Sequence, residues 1–269
     1  QMREQLRRSN VEYVWKLALI QRAIYGIDIQ PIAAQIAKLR CFISLLVDFK
    51  LDDKKPNKGV PPLPNLDFKF VTANSLIRPP SDILPGGLGL EDAFFAEFAK
   101  AAEGYFFVRE PTEKMRLRRQ IESLIERKID DKEQEIQGHS GAGVRNAKVR
   151  AAMAAGNAAK IERAKREIVF WESYRNIFAY RNKPVLFFDV PYFFPELKNG
   201  FDIVIGNPPF VRQEQIKPLK PLLQEQGYEC YNGVADLFVY FFERGIQLLK
   251  PGGMLCYICS NKYFRSGYG

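Results

Sequence analysis

Histidine and cysteine are the scarcest reactive side chains in this 269-residue chain, which has one His and four Cys. With a single imidazole, His139, neither a His-ligated zinc centre nor a Ser-His-Asp hydrolase has much to build from, and no metal site is expected. His139 falls in the glycine-rich stretch Gly138–Gly143 and reads as part of a solvent loop. The cysteines, at 41, 230, 256 and 259, are too few and too unevenly spaced for a disulfide framework, which fits a reducing cytoplasm. Cys256 and Cys259 make one C-x-x-C. It has no second pair, and it lies in an apolar run, Met254–Ser260, that reads as a buried strand with the two thiols on opposite faces. There is no run of 18 uncharged apolar residues, and the opening QMREQLRRSN lacks the apolar core of a signal peptide, so membrane spanning and secretion are not expected. Acids are also in deficit. Lys and Arg number 40 against 31 Asp and Glu, a net charge of +9, while 46% hydrophobic and 13% aromatic content argues for a folded core rather than a basic tail. Such a domain attracts polyanions.

What is present alternates helices with short apolar strands. Arg3 to Arg22 carries apolar residues at helical spacing, and Ala23–Ile29 reads as a buried strand ending in an acid. Pro31 opens a second helix through about Val47, and the charged, proline-rich Asp48–Pro64 is a loop. Strands are expected at Phe68–Ala73 and Phe201–Gly206, a helix at Ala235–Lys250 stopped by Pro251-Gly-Gly, and a strand at Met254–Ser260. Continuous apolar strands separated by helices predict a parallel α/β sheet of the doubly wound type.

The stretch from Glu91 to Arg181 differs. Its composition is helical, and Pro111–Gln137 with Val144–Tyr180 reads as a long hairpin turned at Gly138–Gly143. Residues 144–183 hold ten bases and three acids, net +7, whereas Glu113–Gln137 holds seven of each. Ile161, Ala164, Ile168, Trp171 and Phe178 mark a packed face, which leaves Arg163, Lys165 and Arg166 on the outer one. These three are the candidate contacts to a nucleic-acid backbone, the alternative being an ordinary solvated face.

The most informative stretch is Phe201-Asp-Ile-Val-Ile-Gly-Asn-Pro-Pro-Phe210. Two prolines at the carboxyl end of a strand remove two backbone donors and fix the chain, while their carbonyls remain acceptors. An Asn side-chain oxygen beside the next carbonyl can accept both hydrogens of an amino group, and the neighbouring aromatic offers a face for a flat ring. Here the chain resembles the class I S-adenosylmethionine-dependent N6-adenine DNA methyltransferases, especially the methylase modules of type IIG restriction-modification enzymes. The resemblance implies a Rossmann-like methyltransferase fold, S-adenosylmethionine as cofactor and double-stranded DNA as partner. It implies that Asn207, Pro208, Pro209 and Phe210 form the catalytic motif, with Asn207 and the Pro208 carbonyl on the target amine and Phe210 stacked on a flipped base. Tyr25-Gly-Ile-Asp-Ile-Gln-Pro31 is similar to the family's second motif, so Asp28 would bind the cofactor ribose and Ile29 pack on its adenine. Val71-Thr-Ala-Asn-Ser-Leu76 stands where the family usually has an acid toward that adenine, which makes Asn74 and Ser75 cofactor candidates. Ala235-Asp-Leu-Phe238 and the segment after it resemble the helix and strand that follow the catalytic loop.

The glycine-rich first motif of that family is missing, and Gly86-Gly-Leu-Gly89, placed after the second and third motifs, reads as loop. The expected architecture is therefore an incomplete doubly wound sheet without its first strand and glycine loop. Residues 1–84 and 185–269 would be its core, and residues 85–184 a long helical insertion. The expectation is an internal fragment, dependent on the rest of the same polypeptide for the first motif and for a target-recognition domain, and inactive alone. Two other readings stand beside this one: a glutamine or RNA-base N-methyltransferase, since the same turn serves any planar amide or exocyclic amine, and a noncatalytic nucleic-acid-binding module.

Overall fold

Residues 11–60, 66–79, 91–108, 110–178, 183–194, 196–197 and 199–259 are described by the computed structural model. The chain divides into two units, Gln1–Ala73 with Leu88–Leu186, and Asn74–Gly87 with Phe187–Gly269. Each is an α/β or helical assembly of short elements.

In the first unit α1 (Val11–Arg22), β1 (Gly26–Asp28) and α2 (Pro31–Val47) follow in order. The opening of the helix expected from Arg3 and the loop expected at Gly86-Gly-Leu-Gly89 lie outside the described residues. Proline at the first position of α2 loses no bond, because that N–H has no partner within a helix. β2 (Phe70–Thr72) runs parallel to β1 with Ile27 opposite Val71, and the Ala73 N–H extends the ladder by donating to the Asp28 carbonyl at 3.0 Å. Gly26 is required there, since a Cβ would lie 2.5 Å from the Phe70 ring. Tyr13, Ile20, Leu45, Leu66 and Phe70 close the small core beneath these elements.

Asp67 ties this core to the helices that come later. It accepts from Lys38 Nζ at 2.9 Å on α2 and from the Tyr105 hydroxyl at 2.8 Å. Burial alone would raise its pKa, but the Lys38 charge and hydrogen bond, with the Tyr105 hydroxyl, hold the carboxyl below its usual value. A depressed carboxylate stabilises the fold above its unfolded pKa, about 3.9, and that stabilisation drains away as pH falls through the lower folded value. Asp67→Asn should therefore cost about 1.5–3 kcal/mol near neutral pH. The loss should shrink as the medium is acidified through that window. Urea unfolding followed against pH tests this, and parallel stability curves for the two proteins down to strong acid would count against it.

The helical segment contains α3 (Glu91–Phe107), α4 (Pro111–Ser140), α5 (Ala147–Gly156) and α6 (Ala158–Tyr174). At 1.5 Å per residue, the 30 residues of α4 make a rod about 45 Å long. Its buried stripe, Leu117, Ile121, Leu124, Ile125 and Ile129, stops before its last third. α3 covers the near part only: Gly104 lies over Leu117, Glu97 meets Arg127 at 3.5 Å, and Lys128 sits 5.6 Å from the Phe94 ring. α6 returns antiparallel, with Lys132 bound to the buried Glu167 at 2.8 Å and Glu167 also to Arg163 at 3.1 Å. Phe94, Phe98, Phe170, Trp171 and Tyr174 pack between the helices in edge and stacked contacts. Two expectations are corrected here. The returning arm is two helices, broken at Asn157, and His139 belongs to the last turn of α4 rather than to a loop. The helix runs on through Gly138, and it is Gly141, at φ 70°, that ends it.

The second unit holds α7 (Val190–Phe193), β3 (Phe201–Gly206), α8 (Lys220–Glu225), α9 (Leu237–Leu248) and β4 (Leu249–Tyr257). β3 and β4 are parallel, with Ile203 opposite Met254 and Gly206 opposite Tyr257. Phe201, however, faces Leu249, so the register breaks between Phe201 and Ile203. Pro251-Gly-Gly is thus a bulge inside the strand and not the stop that was expected. Gly252 supplies its positive φ of 80°.

The strands read as buried are not closed on both sides. Among the described residues each sheet has two strands, and β3–β4 carries α9 on one face only. Gly245 of α9 meets Leu255 and Tyr257, while Ile203, Ile205, Met254 and Ile258 are more than half exposed. The C-x-x-C expectation changes accordingly: Cys256 is exposed on that open face and Cys259 is half-buried.

Candidate active site

β3 delivers the chain into Asn207-Pro-Pro-Phe210 at its carboxyl edge, the side on which parallel α/β sheets bind ligands. Approach to this turn depends on Gly206. A Cβ there would lie 2.7 Å from the ring of Tyr257, which is wedged between Gly206, Gly245 and Phe242. Pro208 is buried and anchors the turn; Asn207, Pro209 and Phe210 are exposed, Phe210 by 58%. The Pro209 carbonyl is taken by the Val211 N–H at 3.0 Å. Neither the Asn207 side chain nor the Pro208 carbonyl has a hydrogen-bond partner among the described residues. Two unengaged oxygen acceptors therefore sit beside an exposed ring.

The segment after the turn is held by the N-terminus of α9. Asp236, buried, accepts from the Gln213 N–H at 2.9 Å, and the Leu237 N–H donates to the Val211 carbonyl at 3.0 Å. An Asp just before a helix normally caps its own first turn. Here it makes no such cap bond and reaches across to the loop that carries Phe210. Phe238, the second residue of α9, lies with its ring 6.4 Å from the Phe210 ring. Sequence reasoning noted Ala235–Phe238 only as a resemblance. The loop-clamping role has no local signature, because it depends on a partner 23 residues away.

The same helix holds the Asn74-Ser75 turn. Arg244, 3% exposed, donates from Nε to the Ser75 carbonyl at 2.9 Å and from Nη2 to the Phe188 carbonyl at 2.8 Å, with Asp189 at 3.6 Å. Burial lowers the guanidinium pKa, and the Asp189 charge opposes that shift. Asn74 itself turns the chain by accepting from the Leu76 N–H at 3.2 Å. Tyr228 donates to the Leu76 carbonyl at 2.5 Å, its own pKa pushed up to about 12 by burial. The second unit therefore gathers Asn74, Ser75 and Asn207–Phe210 around α9. Arg244 was not among the residues singled out from the sequence.

In the first unit Asp28 stands exposed at the carboxyl end of β1. One carboxylate oxygen accepts from the Gln30 N–H at 2.7 Å, and the other has no hydrogen-bond donor among the described residues. Ile29 beside it is 55% exposed. An acceptor aimed outward next to an apolar side chain fits the diol and base of a nucleoside. Arg163 and Lys165 lie on α6, where they pair with Glu167 at 3.1 Å and Glu162 at 2.7 Å, and Arg166 is exposed on the same helix. Among the described residues no group of His, Cys, Asp and Glu could hold a metal ion, and no helix is long and apolar enough to cross a membrane.

Residues 22–269 match the model of the Eco57I restriction-modification methylase family. Shorter stretches are similar to curated proteins. The type II methyltransferase M.XhoI of Xanthomonas vasicola is 38% identical over 73 residues, 27% of this chain and 13% of that protein. The type II methyltransferase M.BstVI of Geobacillus stearothermophilus is 39% identical over 69 residues, 26% of this chain and 12% of that protein. The type II restriction enzyme and methyltransferase RM.Eco57I of Escherichia coli is 32% identical over 72 residues, 26% of this chain and 7% of that protein. The matched stretches of the chain thus span only 7–13% of the length of these relatives. No solved structure matches it.

Proposed function

The chain belongs to the Eco57I restriction-modification methylase family, and on that premise we propose that it forms part of an enzyme that methylates N6 of adenine in double-stranded DNA. The observation that carries the reading is the pair of unengaged acceptors, Asn207 Oδ1 and the Pro208 carbonyl, at the edge of a parallel strand pair beside an exposed Phe210. Two acceptors match the two hydrogens of an exocyclic amine. With both N–H bonds held, the nitrogen lone pair points away as the nucleophile, and the positive charge that develops on nitrogen faces two carbonyl dipoles. Phe210 stacks on a base turned out of the duplex.

S-adenosylmethionine, when bound, supplies the electrophilic methyl group. Asp28 would accept from its ribose hydroxyls, Ile29 would pack on its adenine, and Asn74 and Ser75 would contact that adenine. The fold assigned is a doubly wound, Rossmann-like one with residues 85–184 as a helical insertion. Arg163, Lys165 and Arg166 would add contacts to the DNA backbone; the exposed Lys165–Glu162 pair costs little to open, whereas Arg163 is held by the buried Glu167.

The test, on the complete enzyme of which this chain is part, is transfer of labelled methyl from S-adenosylmethionine to duplex DNA in competition with RNA and a glutamine-containing peptide. Label recovered as N6-methyladenine is the expected result; label in glutamine or RNA alone would overturn the assignment. Within that assay Phe210→Ala should lower kcat/KM for DNA by about 5- to 150-fold, the equivalent of about 1–3 kcal/mol of stacking. Phe210→Tyr should restore most of it. A Phe210→Ala enzyme within twofold of the parent would remove the ring from the site.

A further inference from the structure

The far end of the α4–α6 arm carries charge of one sign. From Ile136 to Ile161 the chain has no acid, yet it holds Arg145, Lys148, Arg150 and Lys160. All four are exposed. The shaft below is different: α4 alternates bases and acids, with Asp130, Asp131 and Glu133 exposed just below the tip. Near the tip, Glu135 is paired with Lys132 at 2.9 Å, Glu162 with Lys165 at 2.7 Å and Glu167 with both Lys132 and Arg163. The acids of the shaft thus draw on the bases of the shaft, and the tip has no acid of its own to match its bases.

The tip is also a built structure. The Ala142 N–H reaches back to the Gln137 carbonyl at 3.0 Å across the left-handed Gly141, which seals the end of α4. Asn146 caps α5 by accepting from the Lys148 and Val149 N–H groups, and Asn157 Nδ2 donates to the His139 carbonyl at 3.3 Å. Met153 and Arg150 fold over Gly141, whose Cβ would lie 3.3 Å from the Met153 sulfur. α5 is therefore held against the end of the rod, about 45 Å from the start of α4.

We propose that this tip, residues 141–160, is a sequence-independent clamp on the phosphate backbone of duplex DNA, and that it contributes more to DNA affinity than Arg163, Lys165 and Arg166. DNA is chosen over an anionic membrane because the apolar side of α5 is small: it is alanine with Val149 and Met153 one turn apart, Met153 folds over Gly141, and residues 141–160 hold no Leu, Ile, Phe or Trp to insert among lipids. The choice rests on the methyltransferase reading above. The charge-balanced shaft restricts the contact to the tip, since a duplex lying along α4 would gain no net attraction and would meet the exposed Asp130, Asp131 and Glu133.

Binding of the purified protein to a random-sequence duplex is measured by fluorescence anisotropy over a range of salt. Removing one phosphate contact lowers the slope of log affinity against log salt by about 0.9, so Arg145→Glu/Lys148→Glu/Arg150→Glu should lower it by about 2–3. Reversal of Arg163, Lys165 and Arg166 should lower it by less. Glutamine at the same three tip positions, which removes charge without adding repulsion, should lie between parent and reversal. A tip reversal that leaves the slope unchanged overturns the proposal, as does one that abolishes sedimentation with anionic phospholipid vesicles while DNA affinity is kept. Methyl incorporation is scored separately, on the complete polypeptide of which this chain is part: a complete protein that binds DNA through the tip but transfers no methyl overturns the enzymatic reading and leaves the clamp standing.

Discussion

Asn207→Ala is expected to lower methyl transfer by a factor of about 100 to 1,000 while cofactor binding stays close to that of the parent. The factor follows from loss of one fixed dipole facing a charge that develops only in the transition state, worth about 2.7–4 kcal/mol at comparable sites. Asn207 has no protein partner to release among the described residues, so the substitution removes an acceptor without loosening the turn, which Pro208 and the Val211–Leu237 bond still hold. Incorporation of tritiated methyl into duplex DNA, read together with cofactor titration, separates chemistry from binding. A variant that retains more than a tenth of the parent rate would remove Asn207 from the catalytic role.

The second large effect is on stability. Arg244→Met strips a buried fork from two carbonyls, Ser75 and Phe188, and leaves Asp189 facing a thioether. Removal of one partner from a buried charged pair costs about 3–5 kcal/mol, a large part of the stability of a domain this small. The melting temperature of the second unit should fall by about 15 °C or more. Arg244→Lys keeps the charge but not the planar fork, and should recover only part of the loss. A melting temperature within 2 °C of the parent, measured by calorimetry, would show that the two carbonyls find other donors, since about 1 kcal/mol already shifts it by more than that.

Much of this architecture is legible in the sequence wherever the deciding forces are local. Pro31 sets the start of α2 whatever surrounds it, and the apolar run from Phe201 to the two prolines can only be a strand that ends at a rigid turn. The grouping of two acceptors and an exposed ring at Asn207–Phe210 is visible from residue types at adjacent positions. What stays hidden is settled at long range. Pro251-Gly-Gly has the composition of a stop, but pairing with β3 draws it into β4 as a bulge. His139 sits among glycines and is nonetheless helical, because Asn157, beyond the break in the returning arm, donates to its carbonyl. Asp236 has the sequence position of a cap, and its use as a clamp on Gln213 depends on where the loop returns. Arg244 reads as one more charge on an amphipathic helix until its two carbonyl partners are brought to it by folding.

The wedge formed by Gly206, Gly245 and Tyr257 has a consequence for how such a protein can change over time. A methyl group at 206 would stand 2.7 Å from the tyrosine ring, and one at 245 would stand 2.5 Å from its hydroxyl. Gly206 can therefore be replaced only after Tyr257 has become smaller, and Gly245 only after Leu255, whose Cδ1 would lie 2.7 Å away, has given way as well. A smaller residue at 257 opens a void beside the Asn207–Phe210 turn that a side chain at 206 or 245 is placed to fill. Contacts of this kind make mutational effects non-additive. The three positions are coupled: a lineage can exchange this packing only in a fixed order, beginning at Tyr257 and passing through a destabilised intermediate, and neither glycine can drift first.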